Sequence, residues 1–84
     1  MKLNETLRSQ LGKKYTPSAL IEMKFRGKDM AFRTDQEGNP VVLFIGRKSQ
    51  QDGMIKGERY TRTLIKDDHG KVIKDHWDLK GRAS

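Results

Sequence analysis

Apolar and polar residues alternate along the first half of the chain. In "IEMKFRGKDMAFRT", residues 21–34, apolar side chains recur at every second position, at 21, 23 and 25 before Gly27 and at 30 and 32 after it. This period of two is typical of β-strands that bury one face, and Gly27-Lys28 suits a two-residue hairpin turn that begins with glycine. We therefore predict a hairpin with the pairs Arg26–Asp29, Phe25–Met30, Lys24–Ala31, Met23–Phe32 and Glu22–Arg33.

A second alternating stretch, "GERYTRTLIKDDHGKVIKDHWD" at 57–78, contains both histidines and the single tryptophan. With "DDHG" (67–70) as the turn, one register brings together three apolar pairs and two Arg–Asp pairs, and a slip of one residue would destroy most of them. The acidic residues thus have a structural role, which favours a hairpin over a catalytic cluster. The predicted pairs are Lys66–Lys71, Ile65–Val72, Leu64–Ile73, Thr63–Lys74, Arg62–Asp75, Thr61–His76, Tyr60–Trp77 and Arg59–Asp78.

The segments between the hairpins complete the β pattern. "DQEGNP" (35–40) is dense in turn-forming residues, and "VVLFIG" (41–46) is an apolar run of strand length that we predict to be the central, most buried strand. "RKSQQDG" (47–53) has no apolar residue and is predicted to be a solvent-exposed loop. Gly57 interrupts the long strand 54–66, where glycine indicates a bulge or a bend.

Residues 1–15 follow a helical pattern instead. Leu3, Leu7 and Leu11 recur every four residues and form one apolar stripe. Asn4 suits the N-cap, and Gly12 suits the end of the helix. A helix this short is not stable alone, so we expect the stripe to pack against the strands.

We predict one domain over residues 1–84: a helix and connection at 1–15, a β-meander at 19–79 and a flexible tail at 80–84. The fold class is mainly β, with five antiparallel strands and one short N-terminal helix. The sheet is either a small curled barrel of SH3-like or OB-like type, or an open curled sheet with the helix on one face. The likeness to small barrels is architectural and carries little functional weight.

The cysteine content and the distribution of apolar residues bear on the chemistry and the location that we expect for the protein. The chain has no cysteine, which excludes disulfides and thiolate metal sites. Because the start "MKLNETLRSQ" has no apolar signal-peptide core and no apolar run approaches a membrane span, we expect a cytoplasmic protein without membrane contact.

The net charge of +7 in 84 residues is the clearest functional signal, since it attracts polyanions over long range. Basic side chains and rings on a small β-fold are a common way to bind RNA or single-stranded DNA. We expect phosphate contacts at the basic residues and base stacking on Tyr60 or Trp77, although core packing of that pair is the stronger interpretation. The candidate nucleic-acid-binding residues are Arg47, Lys48, Lys56, Arg59, Tyr60, Arg62, Trp77, Lys80 and Arg82.

The alternative is a protein-interaction module or accessory subunit that uses a sheet edge or meets an acidic protein partner. Enzymatic and metal-binding functions are disfavoured. Asp67, Asp68, His69 and His76 lack the spacing of metal ligands, and the sequence shows no set of nucleophile, base and orienting group. We therefore predict no catalytic residue, no metal and no cofactor.

Overall fold

A computed structural model describes residues 5–83 of the chain. It contains α1 (Glu5–Leu11) and strands β1 (Leu20–Phe25), β2 (Lys28–Thr34), β3 (Pro40–Lys48), β4 (Ile55–Lys66) and β5 (Val72–Ala83). The strands form one antiparallel sheet in the order β1-β2-β3-β4-β5. The predicted five-stranded, mainly β fold with one N-terminal helix is confirmed. The sheet is not closed, so of the two alternatives the structure shows the open sheet and not the barrel.

The core lies between α1 and one face of the sheet, which we call the helix face. Tyr15, in the connection after α1, packs its ring edge-on against Phe32 with the ring centres 4.8 Å apart, and its hydroxyl donates to the carbonyl of Gln10. As predicted, Leu7 and Leu11 dock on the strands, whereas Leu3 and Asn4 lie outside the described residues. The buried cluster consists of Leu7, Leu11, Met30, Phe32, Leu43 and Tyr60.

The first hairpin turns one residue earlier than predicted. Arg26 and Gly27 form the two-residue loop, and their φ values of 51° and 81° match a type I′ turn. All five predicted pairs are wrong, yet the buried face is right, because a shift of two positions keeps each side chain on its face. The observed pairs are Leu20–Arg33, Ile21–Phe32, Glu22–Ala31, Met23–Met30, Lys24–Asp29 and Phe25–Lys28.

The second hairpin turns at 67–70, as predicted, but it contains two bulges. The register shifts between Ile65 and Lys66 and again between Arg59 and Tyr60, which leaves Ile73 and Lys80 as extra residues on β5. The predicted direct pairs are therefore wrong. The strand also runs further than expected, because residues 80–83 belong to β5 and not to a separate tail. The observed pairs include Lys66–Val72, Ile65–Lys74, Leu64–Asp75, Thr63–His76, Arg62–Trp77, Thr61–Asp78, Tyr60–Leu79 and Arg59–Gly81.

The central strand is β3, as predicted, although β2 is more deeply buried, with four buried residues against two in β3. The predicted loop at 47–53 is shorter than expected, because Arg47 and Lys48 still belong to β3. Gly57 marks a close approach and not a bulge. It lies opposite Gly46, and a Cβ added at Gly46 or Gly57 would lie 2.0 or 2.1 Å from a carbonyl oxygen of the neighbouring strand.

Candidate functional site

Arg62 joins three elements of the fold. Its side chain is only 8% exposed, and its Nε and Nη2 donate to the two carboxylate oxygens of Asp75 at 2.7 Å each. Nη1 donates to the carbonyl oxygens of Leu11 (3.3 Å) and Pro40 (3.1 Å). The hydrogen bond from Arg62 is the main reason why the pKa of Asp75 lies below its ordinary value. Arg62 therefore has a structural role, and its guanidinium is not available to a phosphate.

The two rings considered for base stacking are held by packing. Tyr60 is 1% exposed, and burial raises the pKa of its phenol, with the nearby Glu58 carboxylate adding to the effect. Trp77 is half-buried against the core, and the guanidinium carbon of Arg62 lies 5.6 Å from its ring centre. Tyr60 is thus inaccessible to a base, and one face of Trp77 is covered by Arg62.

Lys48 and Arg59 lie on the face of the sheet opposite the helix face, which we call the open face. Phe44 lies on this face too. The Nζ of Lys48 lies 2.8 Å from Oε1 of Glu22, and this hydrogen bond is the main reason why the pKa of Lys48 is raised. Arg59 is exposed and forms no ion pair within residues 5–83. Of these two predicted residues, Arg59 is the one whose charge is not neutralised by a neighbouring carboxylate.

Three exposed cations form a row across neighbouring strands. Arg47 of β3 lies directly opposite Lys56 of β4. The β2–β3 register pairs Asp29 with Gly46, which places Lys28 beside Arg47 on its other side. All three are exposed, and strand alternation puts them on the helix face. We call Lys28, Arg47 and Lys56 the basic row.

The charges of the basic row are poorly compensated. Side chains directly opposite on neighbouring strands have Cβ atoms about 4.5–5.5 Å apart, and like charges in that position are destabilising. Within the described residues, the one ion pair of the row joins Lys56 to Asp52 at 3.6 Å. Such an arrangement suits an anion that bridges adjacent cations.

Lys80 and Arg82 lie near the C-terminal end of β5, and both are exposed. Lys80 is the extra residue at a bulge, and Arg82 lies opposite Glu58 of β4. Glu58 is two positions from Lys56, so Arg82 lies on the same face as the basic row, but a carboxylate stands between Arg82 and the row. The predicted residues that the structure brings together are thus Arg47 and Lys56, with Arg82 at their margin.

The histidines lie in exposed positions. The side chain of His76 is 59% exposed, and its Nε2 lies 2.8 Å from Oδ1 of Asp78. In the turn, Oδ1 of Asp67 accepts hydrogen bonds from the backbone N–H groups of His69 and Lys71. The part of the chain that the structure describes contains no group of three His, Cys, Asp or Glu side chains that could hold a metal ion.

The open face also carries an apolar pocket of about 200 Å³ beside the 49–54 loop. Phe44 and Ile55 line it together with Leu20 and Met54, which are 53% and 65% exposed. Glu22 and Arg33 add charge to its lining. Nothing in the structure shows what would cover this pocket.

The sequence prediction missed Lys28. In the predicted register Lys28 lay in the first turn, whereas the observed turn at Arg26-Gly27 makes it the first residue of β2. The signal that was available is weak, since Gly27 can occupy either position of a two-residue turn. The correct register puts Lys28 next to Arg47 and completes the basic row.

Comparison with known proteins finds no matching family model, no similar protein of curated function and no similar solved structure. Within residues 5–83, no helix has both the length and the apolar character needed to cross a membrane.

Proposed function

We propose that this protein is a binding module for RNA or single-stranded DNA, and that the basic row contacts the phosphate backbone. The observation that supports the proposal is the direct opposition of Arg47 and Lys56 on neighbouring strands. Keeping like charges opposite each other opposes folding, and an anion bound across both side chains would offset that repulsion. The net charge of +7 adds long-range attraction for a polyanion.

Phosphate contacts are the basis of the proposed binding. Base stacking is not part of it, because Tyr60 is buried and Arg62 covers one face of Trp77. Phosphate contacts carry little information about base sequence, so we expect low sequence specificity. They also release counterions, so the affinity should fall steeply with salt.

The proposal treats the protein as non-catalytic. The closest acid–base pair in the described residues is His76 with Asp78, and both side chains are about half exposed, at 59% and 43%. A pair this exposed lies outside the enclosed pocket in which catalytic groups usually work. An acidic protein partner could use the same basic row, and the experiment below separates this alternative from nucleic acid.

The test compares two variants of equal net charge. The first removes the basic row by the substitutions Lys28→Gln, Arg47→Gln and Lys56→Gln. The second removes three exposed cations elsewhere, by Lys13→Gln, Lys14→Gln and Lys71→Gln. Fluorescence polarisation then measures binding of a labelled single-stranded oligonucleotide at low salt, with labelled polyglutamate as the acidic-protein probe.

We expect the row variant to lose at least about tenfold in oligonucleotide affinity and the control variant to lose much less, because local phosphate contacts outweigh net charge. Equal losses in both variants would show that only net charge matters. Absence of oligonucleotide binding by the wild type at low salt would refute the proposal. Row-dependent binding of polyglutamate alone would assign the surface to an acidic protein.

A further inference from the structure

Strand β5 is a free edge of the sheet, because in the described fold it pairs only with β4. Edge strands present unpaired backbone N–H and C=O groups to which another strand can add. β5 has twelve residues, against six in β1, the other edge. It also exposes apolar side chains, with Ile73 62% and Leu79 41% exposed.

The bulges delimit the part of β5 whose pairing with β4 is regular. Between Ile65–Lys74 and Tyr60–Leu79 the register is regular, and the extra residues Ile73 and Lys80 flank this segment. Bulges twist a strand and interrupt regular pairing. A partner strand is therefore expected to pair with residues 74–79 and to reach Ile73 at one end.

This segment is electrically neutral within a strongly basic chain. Residues 72–80 contain Lys74 and Lys80 and also Asp75 and Asp78, which sum to zero, whereas the whole chain carries +7. Because each copy carries this net charge, two copies repel each other in most relative orientations. The β5 edge is a surface on which two copies can meet without local repulsion between like charges.

The segment is also complementary to itself. Antiparallel pairing of two copies about a two-fold axis at His76 places Lys74 opposite Asp78 of the second copy, and it brings the bulge residue Ile73 to the end of the pairing beside Leu79 of the second copy. Both contacts occur twice by symmetry. They combine an opposite-charge pair with an apolar pair, the two kinds of cross-strand contact that stabilise a sheet.

Neighbouring registers lack this match. Residues directly opposite each other must lie on the same face of the sheet. In a symmetric antiparallel pairing of β5 with itself, the two-fold axis must therefore pass through a residue and not between two residues. An axis at Asp75 would place the two Asp75 side chains against each other. An axis at Trp77 would place Lys74 opposite Lys80 of the second copy. The register centred on His76 avoids both like-charge contacts.

We propose that β5 pairs with β5 of a second copy of this chain, antiparallel about a two-fold axis at His76, to form a continuous ten-stranded sheet. The proposal is independent of the basic row, which lies on other strands. The contact is short and the chains carry equal net charge, so the dimer is expected to be weak and to form at high protein concentration.

The test uses charge reversal and its rescue. Lys74→Asp places two aspartates opposite each other across the axis, and Asp78→Lys places two lysines there. Each single variant should dimerise at least about tenfold more weakly than the wild type. The double variant Lys74→Asp/Asp78→Lys restores opposite charges and should recover the dimer, as should an equimolar mixture of the two single variants.

Sedimentation equilibrium of nuclease-treated protein measures association, with a dimer expected at twice the 9.7 kDa of the chain. Far-UV circular dichroism checks that each variant is folded, and if one single variant fails to fold, the other carries the comparison. A wild type that stays monomeric up to about 1 mM overturns the proposal. So do single variants that dimerise like the wild type, or a double variant that does not recover.

Discussion

At the scale of single residues, Arg62 concentrates polar contacts that hold the helix to the sheet. Its guanidinium reaches a side chain on β5 and two backbone carbonyls, at the end of α1 and the start of β3. Those carbonyls belong to Leu11 and Pro40, which are themselves buried, so replacing Arg62 would leave both oxygens without this donor. Arg59 is three positions away on the same strand but is exposed.

We predict that Arg62→Ala lowers the free energy of unfolding by about 2–3 kcal/mol, because buried acceptors lose their donor and Asp75 loses its partner. Arg59→Ala should change it by less than about 0.5 kcal/mol, as is usual for an exposed residue. Urea denaturation followed by circular dichroism measures both. Similar values for the two variants would contradict the structural role of Arg62.

The same contact makes stability depend on pH. The pKa of Asp75 is lower in the folded protein than its ordinary value of 3.8, chiefly through the hydrogen bond from Arg62. In acid the unfolded chain therefore binds more protons than the folded one, so the stabilisation is complete above about pH 4 and is lost as the pH falls through the folded pKa.

We therefore expect the stability advantage of the wild type over Asp75→Asn to shrink as the pH is lowered from about 7 to about 2. Urea unfolding at a series of pH values measures the difference. The stability of Asp75→Asn should depend less on pH than that of the wild type. The same should hold for Arg62→Ala, which lacks the cause of the pKa shift. A wild-type advantage that stays constant into strong acid would contradict the assignment.

The sequence predicts part of this residue-scale picture. Opposite charges and alternation are enough to bring Arg62 and Asp75 onto one hairpin, and their contact is confirmed, although it is diagonal, since Trp77 lies directly opposite Arg62. The contacts to Leu11 and Pro40 bridge 51 and 22 positions of the chain. No local pattern predicts them, because they depend on where the helix packs on the sheet.

At the scale of elements, β3 and β4 approach closely where Gly46 faces Gly57. The backbones leave no room there for a side chain, since an added Cβ would lie within 2.1 Å of a carbonyl oxygen on the neighbouring strand. Gly12, just after α1, is different: an added Cβ would be 3.4 Å from its nearest contact.

We predict that Gly57→Ala either prevents folding or lowers the free energy of unfolding by more than about 2 kcal/mol, because backbone must move to admit the methyl group. The matched substitution Gly12→Ala should change it by less than about 1 kcal/mol. Urea denaturation of both variants provides the measurement. A Gly57→Ala variant as stable as the wild type would show that the two strands can separate at little cost.

The register of each hairpin is harder to predict from the sequence than the face of the sheet on which each side chain lies. A shift of two positions leaves every side chain on its own face, so hydrophobic alternation cannot distinguish the predicted first hairpin from the observed one. The observed turn also requires a positive φ at Arg26, which local preferences disfavour for arginine. In the second hairpin, the extra residues Ile73 and Lys80 break a register that alternation alone treats as continuous.

At the scale of the whole molecule, the sequence could not decide between a barrel and an open sheet. Both bury the same alternating residues, and they differ only in whether the first and last strands meet. In the structure β1 and β5 form opposite edges. α1 packs on part of the helix face, while the other face holds paired charges and an apolar pocket. The basic row lies exposed on the helix face, and the open sheet leaves β5 as a free edge, so the two are separate surfaces.

The spread of charge over the molecule gives a quantitative test of the proposed function. Each phosphate contact to a single strand contributes about −0.7 to the slope of log affinity against log salt. Binding through the three cations of the basic row alone therefore predicts a slope near about −2, whereas participation of the full +7 charge predicts one near about −5. Polarisation titrations at several salt concentrations measure the slope.

We expect the wild type to show a slope near about −2, since Lys48 and Arg59 lie on the other face of the sheet and Arg82 lies opposite a carboxylate. Removing Arg47 alone should reduce the slope by about 0.7, because one phosphate contact is lost. Removing Lys71, in the distant turn of the second hairpin, should leave it unchanged. A steep slope that responds equally to both substitutions would mean that the anion is attracted by the whole charged surface and not held by a row of cations on neighbouring strands.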